Sequence, residues 1–280
     1  MIEFNTLVIC GGGLKGITIL GSLQYLFDHK IIERDKLKKY IGTSVGAIIN
    51  VLLIIGYEPK EIIAYIIKTR YLQKLQVTAL SGVSGKGFLE FDSIKNMIVD
   101  LFEKKKKKIP TIKEFCQEFN ISFVAITFNY TDRKEFTISS KNSPDLNLLD
   151  ALQMTSNVPF VFKPFQYKND IFFDGFLSNN YPINKLDDTH DIAIGINCDS
   201  KQHSKNKETL STWNFLWDVI LIPLNELQKM KVEPYYDKLR NINLDTSKIY
   251  DLDYNLITIT KILDCYSDGF LQTKSFQKKL

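Results

Sequence analysis

The chain begins with the same pattern twice: a short apolar run, then glycines, then apolar residues at helical spacing. The first apolar run covers residues 7–10, and apolar residues three and four apart over 17–29 predict a helix. The second run, at 40–41, leads through another glycine-containing turn into 47–55, which is almost wholly apolar. A helix that is apolar on all sides is normally buried. The pattern therefore predicts two strand–turn–helix units at the start of the fold.

Further strands and helices follow in alternation. The spacing predicts helices at 59–71, 91–102, 148–156 and 213–229, and strands at 121–128, 134–139, 171–173 and 191–198. Such alternation predicts an α/β fold with a mostly parallel central sheet and helices on both faces. We expect residues 7–187 to form the main domain. Residues 188–280 would hold the last core strand and a C-terminal extension of unknown role.

Composition narrows the class of protein only slightly. The 280 residues are 44% hydrophobic and 24% charged, which is ordinary for a folded domain with a substantial core. The formal net charge of +4 is too small to indicate nucleic-acid binding, yet it favours approach to anionic lipids. Four widely spaced cysteines and three histidines form no zinc pattern, so we expect no metal and no cofactor.

The chain has no predicted export or membrane-spanning segment. No apolar run reaches the roughly 18–20 residues that a membrane span needs, and the N-terminus lacks the features of a signal peptide. We therefore expect a cytoplasmic protein that reaches membranes, if at all, from their surface. Its oligomeric state is left open.

The motif Gly42-Thr43-Ser44-Val45-Gly46 matches the GxSxG pattern of serine hydrolases. A nucleophilic serine must stand clear of the backbone on a tight strand-to-helix turn. Only small residues fit two positions before and after it. The alternative is a glycine-rich turn that merely packs.

A glycine loop, Gly11-Gly12-Gly13-Leu14-Lys15-Gly16, follows the first strand. Consecutive glycines can turn backbone N–H groups towards one developing oxyanion. The same glycines also satisfy the dinucleotide-binding pattern GxGxxG, but no convincing strand leads into an acidic residue at the required distance. A purely structural turn is the third alternative.

Asp174-Gly175 ends the apolar run at 171–173. A serine nucleophile needs a base, and an acidic residue at a strand end is well placed to be one. A turn aspartate without a catalytic role is the simpler alternative. The presence of Ser44 in the same sequence favours the interpretation of Asp174 as a base over the turn interpretation.

Four blocks in this order resemble the patatin-like phospholipase family. They are GGGxKG after the first strand, GTSVGA at the second turn, the stretch 151–165 with Pro159 and Pro164, and the Asp-Gly pair. The resemblance covers about two-thirds of the chain, residues 7–187. It implies a three-layer α/β/α catalytic domain that hydrolyses lipid esters and releases the fatty acid.

The resemblance also implies specific roles. Ser44 would be the nucleophile and Asp174 its base, without a histidine. Gly11, Gly12 and Gly13 would form the oxyanion hole, with Lys15 where the family commonly has arginine. Gly16, Gly42, Gly46 and Gly175 would be the other motif glycines.

One departure and one rival mechanism accompany these assignments. Phe176 stands where the family usually has glycine or alanine, which leaves a catalytically weak lipid-binding or interaction protein as the alternative function. A Ser–His–Asp triad is the alternative mechanism, since His190 and His203 both follow Asp174.

Three further segments have a membrane-related interpretation and a plainer one. The five lysines at 104–108 could meet anionic lipid or form a solvated loop. The aromatic and apolar residues at 213–221 could insert at an interface or pack on the core. Residues 81–87 have the composition of a lid or of an ordinary exposed loop.

Overall fold

A computed structural model describes residues 2–72, 91–187, 189–199, 212–250 and 257–277. Within these residues eight strands form one sheet. They are β1 Thr6–Ile9, β2 Lys39–Thr43, β3 Ser122–Asn129, β4 Lys134–Ser139, β5 Phe165–Tyr167, β6 Asp170–Asp174, β7 Ala193–Asp199 and β8 Arg240–Asp245. Residues 81–87, whose composition fits a lid or an ordinary exposed loop, lie outside the described residues.

The helices cover the sheet and follow most of the strands. They are α1 Gly16–Asp28, α2 Val45–Ile54, α3 Pro59–Lys68, α4 Asp92–Lys104, α5 Ile112–Phe119, α6 Leu148–Ser156, α7 Thr212–Val232, α8 Ser247–Tyr250 and α9 Ile259–Gln277. Among the described residues no helix is long and apolar enough to cross a membrane.

The sheet is mixed but mostly parallel. Strands β3, β2, β1, β7 and β8 lie side by side in that order and all run in parallel. Strands β4 and β6 are antiparallel to β3, and β5 pairs with β6. The predicted fold class, a mostly parallel sheet between helical layers, is confirmed.

The central strands are buried on both faces, as parallel strands covered by helices must be. Leu7, Val8 and Ile9 of β1 have no solvent-exposed surface. Helix α2 is buried over almost its whole length, as its almost wholly apolar sequence predicts. The first two strand–turn–helix units therefore form the centre of the core, and their turns lie at one edge of the sheet.

The region after residue 187 completes the sheet. We expected the strand at 191–198 to be the last one, and that expectation is wrong, because β8 pairs in parallel with β7 along its whole length. The error has a local cause: residues 240–245 alternate apolar and polar side chains over a single short stretch that follows a polar region.

Helix α9 closes the C-terminal region by packing on α1 through two glycines. A methyl group added to Gly269 would lie 1.9 Å from the carbonyl oxygen of Thr18, and one added to Gly21 would lie 1.8 Å from that of Tyr266. Backbone atoms cannot move aside cheaply, so the two helices are in direct contact. The C-terminal helix is therefore part of the core packing.

This contact predicts that Gly269→Ala lowers the free energy of unfolding by about 1–3 kcal/mol, because overpacking outweighs the better helix propensity of alanine. Chemical denaturation monitored by circular dichroism measures the change. Ser275→Ala, at an exposed position of the same helix, is the matched control and should stay within about 0.5 kcal/mol of wild type. Equal stability of both variants would contradict the close packing of α1 on α9.

Candidate active site

Ser44 stands at a strained turn between β2 and α2. Its backbone has φ 53° and ψ −126°, a conformation that side-chain-bearing residues rarely adopt. A methyl group on Gly46 would lie 2.5 Å from the carbonyl oxygens of Ile9 and Cys10, and one on Gly42 would lie 2.8 Å from the amide nitrogen of Ala47. The turn is therefore the tight strand-to-helix geometry that the GxSxG pattern predicts.

Asp174 faces this serine. The Ser44 hydroxyl donates to Asp174 Oδ2 at 2.6 Å, and the N–H of Phe176 donates to Asp174 Oδ1 at 2.9 Å. Both residues are buried, with Ser44 6% and Asp174 1% exposed. The structure thus brings together the two residues that the sequence proposed as nucleophile and base, whose catalytic roles stay predictions.

The environment of Asp174 shifts its titration towards neutral pH. Burial raises the pKa of the carboxyl from its usual 3.8 to about 7, and the hydrogen bonds from Ser44 and the Phe176 N–H oppose that rise. Desolvation dominates because the ionised carboxyl loses more hydration free energy on burial than the two hydrogen bonds contribute to its stability. The side chain can therefore exchange a proton near neutral pH.

Strand β3 explains why Ser44 and Asp174 meet. Thr43, just before the nucleophile, lies opposite Ile126 of β3, and Asp174 lies opposite the next residue, Thr127. Since β4 occupies the other edge of β3 over these residues, β2 and β6 share one edge and approach each other with their carboxyl ends. The separation of the two side chains is thus set by strand pairing.

Gly175 fits the narrow space where these strands converge. A methyl group there would lie 2.2 Å from the carbonyl oxygen of Ile126 and 2.9 Å from Thr43 Cγ2. The bulky Phe176 that follows does not displace Asp174, since its N–H holds the carboxylate in place.

The glycine loop lies directly beside Ser44. A methyl group on Gly11 would lie 3.2 Å from Ser44 Cβ. The expectation that Gly11 donates to an oxyanion needs correction, because its N–H already donates to the carbonyl oxygen of Asn180 at 3.0 Å. A backbone donor with an internal acceptor is not available to a reacting group.

Gly12 and Gly13 retain available backbone donors. Neither N–H has an acceptor among the described residues, and Gly13 has a left-handed φ of 55° with open space on its side-chain side. The loop then turns into α1, where Gly16 packs against Val45 of the neighbouring helix. The stem of Lys15 folds back against Gly12.

Several residues that the sequence did not single out support this loop. The side chain of Gln228 in α7 accepts the N–H of Asn180 at 2.8 Å and donates to the carbonyl oxygen of Tyr181 at 3.3 Å. The Thr43 hydroxyl donates to the carbonyl oxygen of Asn179 at 2.8 Å. No local sequence pattern predicts this role of Gln228, because only the fold brings a helix from the C-terminal region beside the glycine loop.

Of the two histidines of the alternative triad, His190 lies within the described residues. His190 is exposed and its ring contacts the Asp187 carboxylate, while the ring of His29 stacks on Tyr25 at the end of α1. His203 is outside the described residues. Within the described part of the chain, neither histidine is a hydrogen-bond partner of Ser44 or Asp174.

The lysines at 104–108 are largely engaged within the protein. Lys104 pairs with Asp100, Lys105 donates to the carbonyl oxygen of Gly56 at 3.0 Å, and Lys107 pairs with Glu118. Part of this charge is therefore compensated locally, which favours the plainer interpretation of the block. Of the predicted apolar cluster at 213–221, the described side chains begin with Val219, which is exposed.

One known protein family matches most of the chain. The family model described as patatin-like phospholipase matches residues 7–187. This chain belongs to the patatin-like phospholipase family. The match spans the glycine loop, the Ser44 turn and the Asp174 strand end, and it has the same bounds as the resemblance drawn from the motifs.

Two viral proteins are similar to this patatin-like chain. Probable lipid hydrolase 463L of Invertebrate iridescent virus 6 is 30% identical over 245 residues, covering 86% of this chain and 77% of that protein. Uncharacterized protein R571 of Acanthamoeba polyphaga mimivirus is 27% identical over 282 residues, covering 96% and 90%. Both similarities extend beyond residue 187, into the region that completes the sheet.

A bacterial protein of solved structure shares the fold. VipD from Legionella pneumophila superposes with a TM-score of 0.56 at 16% identity, covering 99% of this chain and 67% of that one. At this identity the match bears on fold alone. It supports the three-layer arrangement of the patatin-like chain.

The raised pKa of Asp174 predicts that Asp174→Asn stabilises the fold above neutral pH. A folded-state pKa above the unfolded value gives stability that is present below about pH 4 and is lost as the pH rises through about 7. Asparagine has no such loss, so the variant should exceed wild type by roughly 1–4 kcal/mol at pH 8. Urea denaturation at several pH values measures the difference.

Glu114→Gln is the matched control, because the Thr111 N–H and the Thr111 hydroxyl lower the pKa of this exposed carboxyl and no histidine is among its hydrogen-bond partners in the described residues. Its effect on stability should be independent of pH between 5 and 8. The same flat response for Asp174→Asn would mean that the Asp174 carboxyl does not titrate near neutrality.

Proposed function

We propose that this protein is a lipid acyl hydrolase that cleaves carboxylic esters of lipids, phospholipids among them, through a Ser44 acyl-enzyme with Asp174 as base. The observation that carries the proposal is the 2.6 Å hydrogen bond from the Ser44 hydroxyl to the buried Asp174 carboxylate, at a strained strand-to-helix turn. Membership of the patatin-like phospholipase family supports lipid hydrolysis in general, and so does the name of the iridescent virus relative.

The first half-reaction forms the acyl-enzyme. Ser44 Oγ attacks the ester carbonyl carbon while its proton passes to Asp174, and the carbonyl oxygen becomes an oxyanion. The free N–H groups of Gly12 and Gly13 are the candidate donors to that oxygen, since Gly11 is engaged. Collapse of the intermediate breaks the ester bond, and the departing alcohol takes the proton from Asp174.

The second half-reaction releases the fatty acid. Asp174 accepts a proton from water, and the resulting hydroxide equivalent attacks the acyl carbon. The Ser44–acyl bond then breaks, and the proton returns to Ser44 Oγ. A base with a pKa of about 7 suits both steps at neutral pH, because it is partly ionised before the attack and can give the proton up afterwards.

Fatty acid release from labelled mixed phospholipid vesicles tests the proposal. Wild type should release fatty acid, whereas Ser44→Ala and Asp174→Asn should each reduce the rate by about 10³-fold or more, as loss of a nucleophile or its base does in other serine hydrolases. Ser275→Ala and Asp187→Asn, both at exposed positions, are the matched controls and should retain the wild-type rate.

The alternatives predict different outcomes. Equal release by wild type and Ser44→Ala would show that Ser44 is not the nucleophile. Absence of release from wild type that is folded and vesicle-bound would favour the catalytically weak lipid-binding protein that Phe176 suggests. Binding of NAD or ATP without fatty acid release would favour the nucleotide interpretation of the glycine loop.

The pH dependence provides a second prediction. Asp174 must be ionised to accept the serine proton, so kcat/KM should fall as the pH drops below about 7 and should level off above it. Initial rates with a soluble short-chain ester between pH 5 and 9 measure the profile. A rate that is constant from pH 5 to 9 would rule out Asp174 as the base.

A further inference from the structure

Thr155, near the end of α6, touches the backbone of the nucleophile. Its residue has no solvent exposure, and its hydroxyl oxygen accepts the backbone N–H of Ser44 at 2.9 Å. The same hydroxyl donates its proton to the carbonyl oxygen of Ile126 in β3. One buried side chain thus links the nucleophile turn to the central sheet.

The direction of both hydrogen bonds is fixed by chemistry. A threonine hydroxyl has one proton, and the carbonyl oxygen of Ile126 can only accept. The Thr155 proton is therefore committed to Ile126, and a lone pair is left for the Ser44 N–H. Without it, this N–H would be a buried donor lacking an acceptor, at a residue whose backbone is already in an unfavourable conformation.

The partner carbonyl ties Thr155 to the geometry of the dyad. Ile126 is the β3 residue opposite Thr43, and the next residue, Thr127, lies opposite Asp174. Thr155 therefore fixes Ser44 relative to the strand that also holds Asp174. In addition, the N–H of Asp174 donates to the carbonyl oxygen of Asn157, two residues after Thr155, at 2.9 Å. One short segment, residues 155–157, therefore contacts the backbone of both Ser44 and Asp174.

We infer that Thr155 is a positioning residue that holds the Ser44 backbone so that its hydroxyl points at Asp174. This inference rests on the proposed Ser44–Asp174 chemistry and adds to it a residue that touches neither the ester nor the reacting atoms. Because Thr155 occupies the N–H of Ser44, that donor is withheld from the oxyanion, which leaves the role to the glycine loop.

Thr155→Val removes the hydroxyl at nearly constant volume and is the decisive variant. We expect kcat on a soluble ester to fall about 10- to 100-fold with KM changed less than about twofold, which is the scale set by a buried donor left without an acceptor. Thr155→Ser keeps the hydroxyl and should recover most of the rate. Thr273→Val is the matched control, because Thr273 is equally buried in α9 and its hydroxyl contacts Ser22 Oγ at 2.7 Å and the carbonyl oxygen of Gly269 at 2.9 Å.

The pH profile separates positioning from a general loss of stability. The hydrogen bond from Ser44 lowers the pKa of Asp174, so a misaligned hydroxyl should move the midpoint of the kcat/KM profile to higher pH. Thr155→Val should show this displacement and Thr273→Val should not. Should Thr155→Val fail to fold, Thr155→Ala removes the same hydroxyl and takes its place.

Labelling of Ser44 by a fluorophosphonate probe, measured beside ester hydrolysis, distinguishes the two levels of the proposal. If wild type neither hydrolyses esters nor reacts with the probe, the proposed function and the role of Thr155 both fail. If wild type is active and Thr155→Val matches it in rate and pH midpoint, only the role of Thr155 is overturned. Slower labelling and hydrolysis in Thr155→Val, restored in Thr155→Ser, support it.

Discussion

The site depends on one constraint: strands β2 and β6 share a single edge of β3 and meet there with their carboxyl ends. Thr43 and Asp174 face consecutive residues of β3, one through a parallel pairing and the other through an antiparallel one. Main-chain hydrogen bonds therefore set the distance between Ser44 and Asp174, and elements of the core hold it more firmly than a flexible loop would. The narrow space at this junction also explains why Gly175 must be small.

The same junction creates a conflict between stability and chemistry. Ser44 is held in a backbone conformation that costs on the order of 1–3 kcal/mol, and Asp174 is buried where its charge is poorly hydrated. The almost wholly apolar α2 behind the turn and the buried β1 beside it supply the packing that offsets these costs. A carboxyl that titrates near neutral pH is the result, since burial alone would raise the pKa of Asp174 further and the hydrogen bonds alone would lower it.

The C-terminal region takes part in this arrangement although the family match ends at residue 187. Strand β8 extends the sheet, α9 packs on the helix that follows the glycine loop, and Gln228 of α7 holds Asn180, whose carbonyl occupies the N–H of Gly11. The chain after residue 187 thus supports the glycine loop next to Ser44. A division of the chain at residue 187 follows the sequence motifs, whereas the packing continues across that point.

The sequence by itself determined the fold class, the turn at Ser44 and the candidates Ser44 and Asp174, because short-range patterns encode apolar periodicity and the need for small residues at a tight turn. Only the tertiary structure decided which glycine donors are free, that β8 and α9 belong to the core, and that Thr155 and Gln228 support the site. Those facts depend on contacts between residues far apart in the chain, such as Ser44 with Thr155 and Gly11 with Asn180, and no local pattern records such pairings.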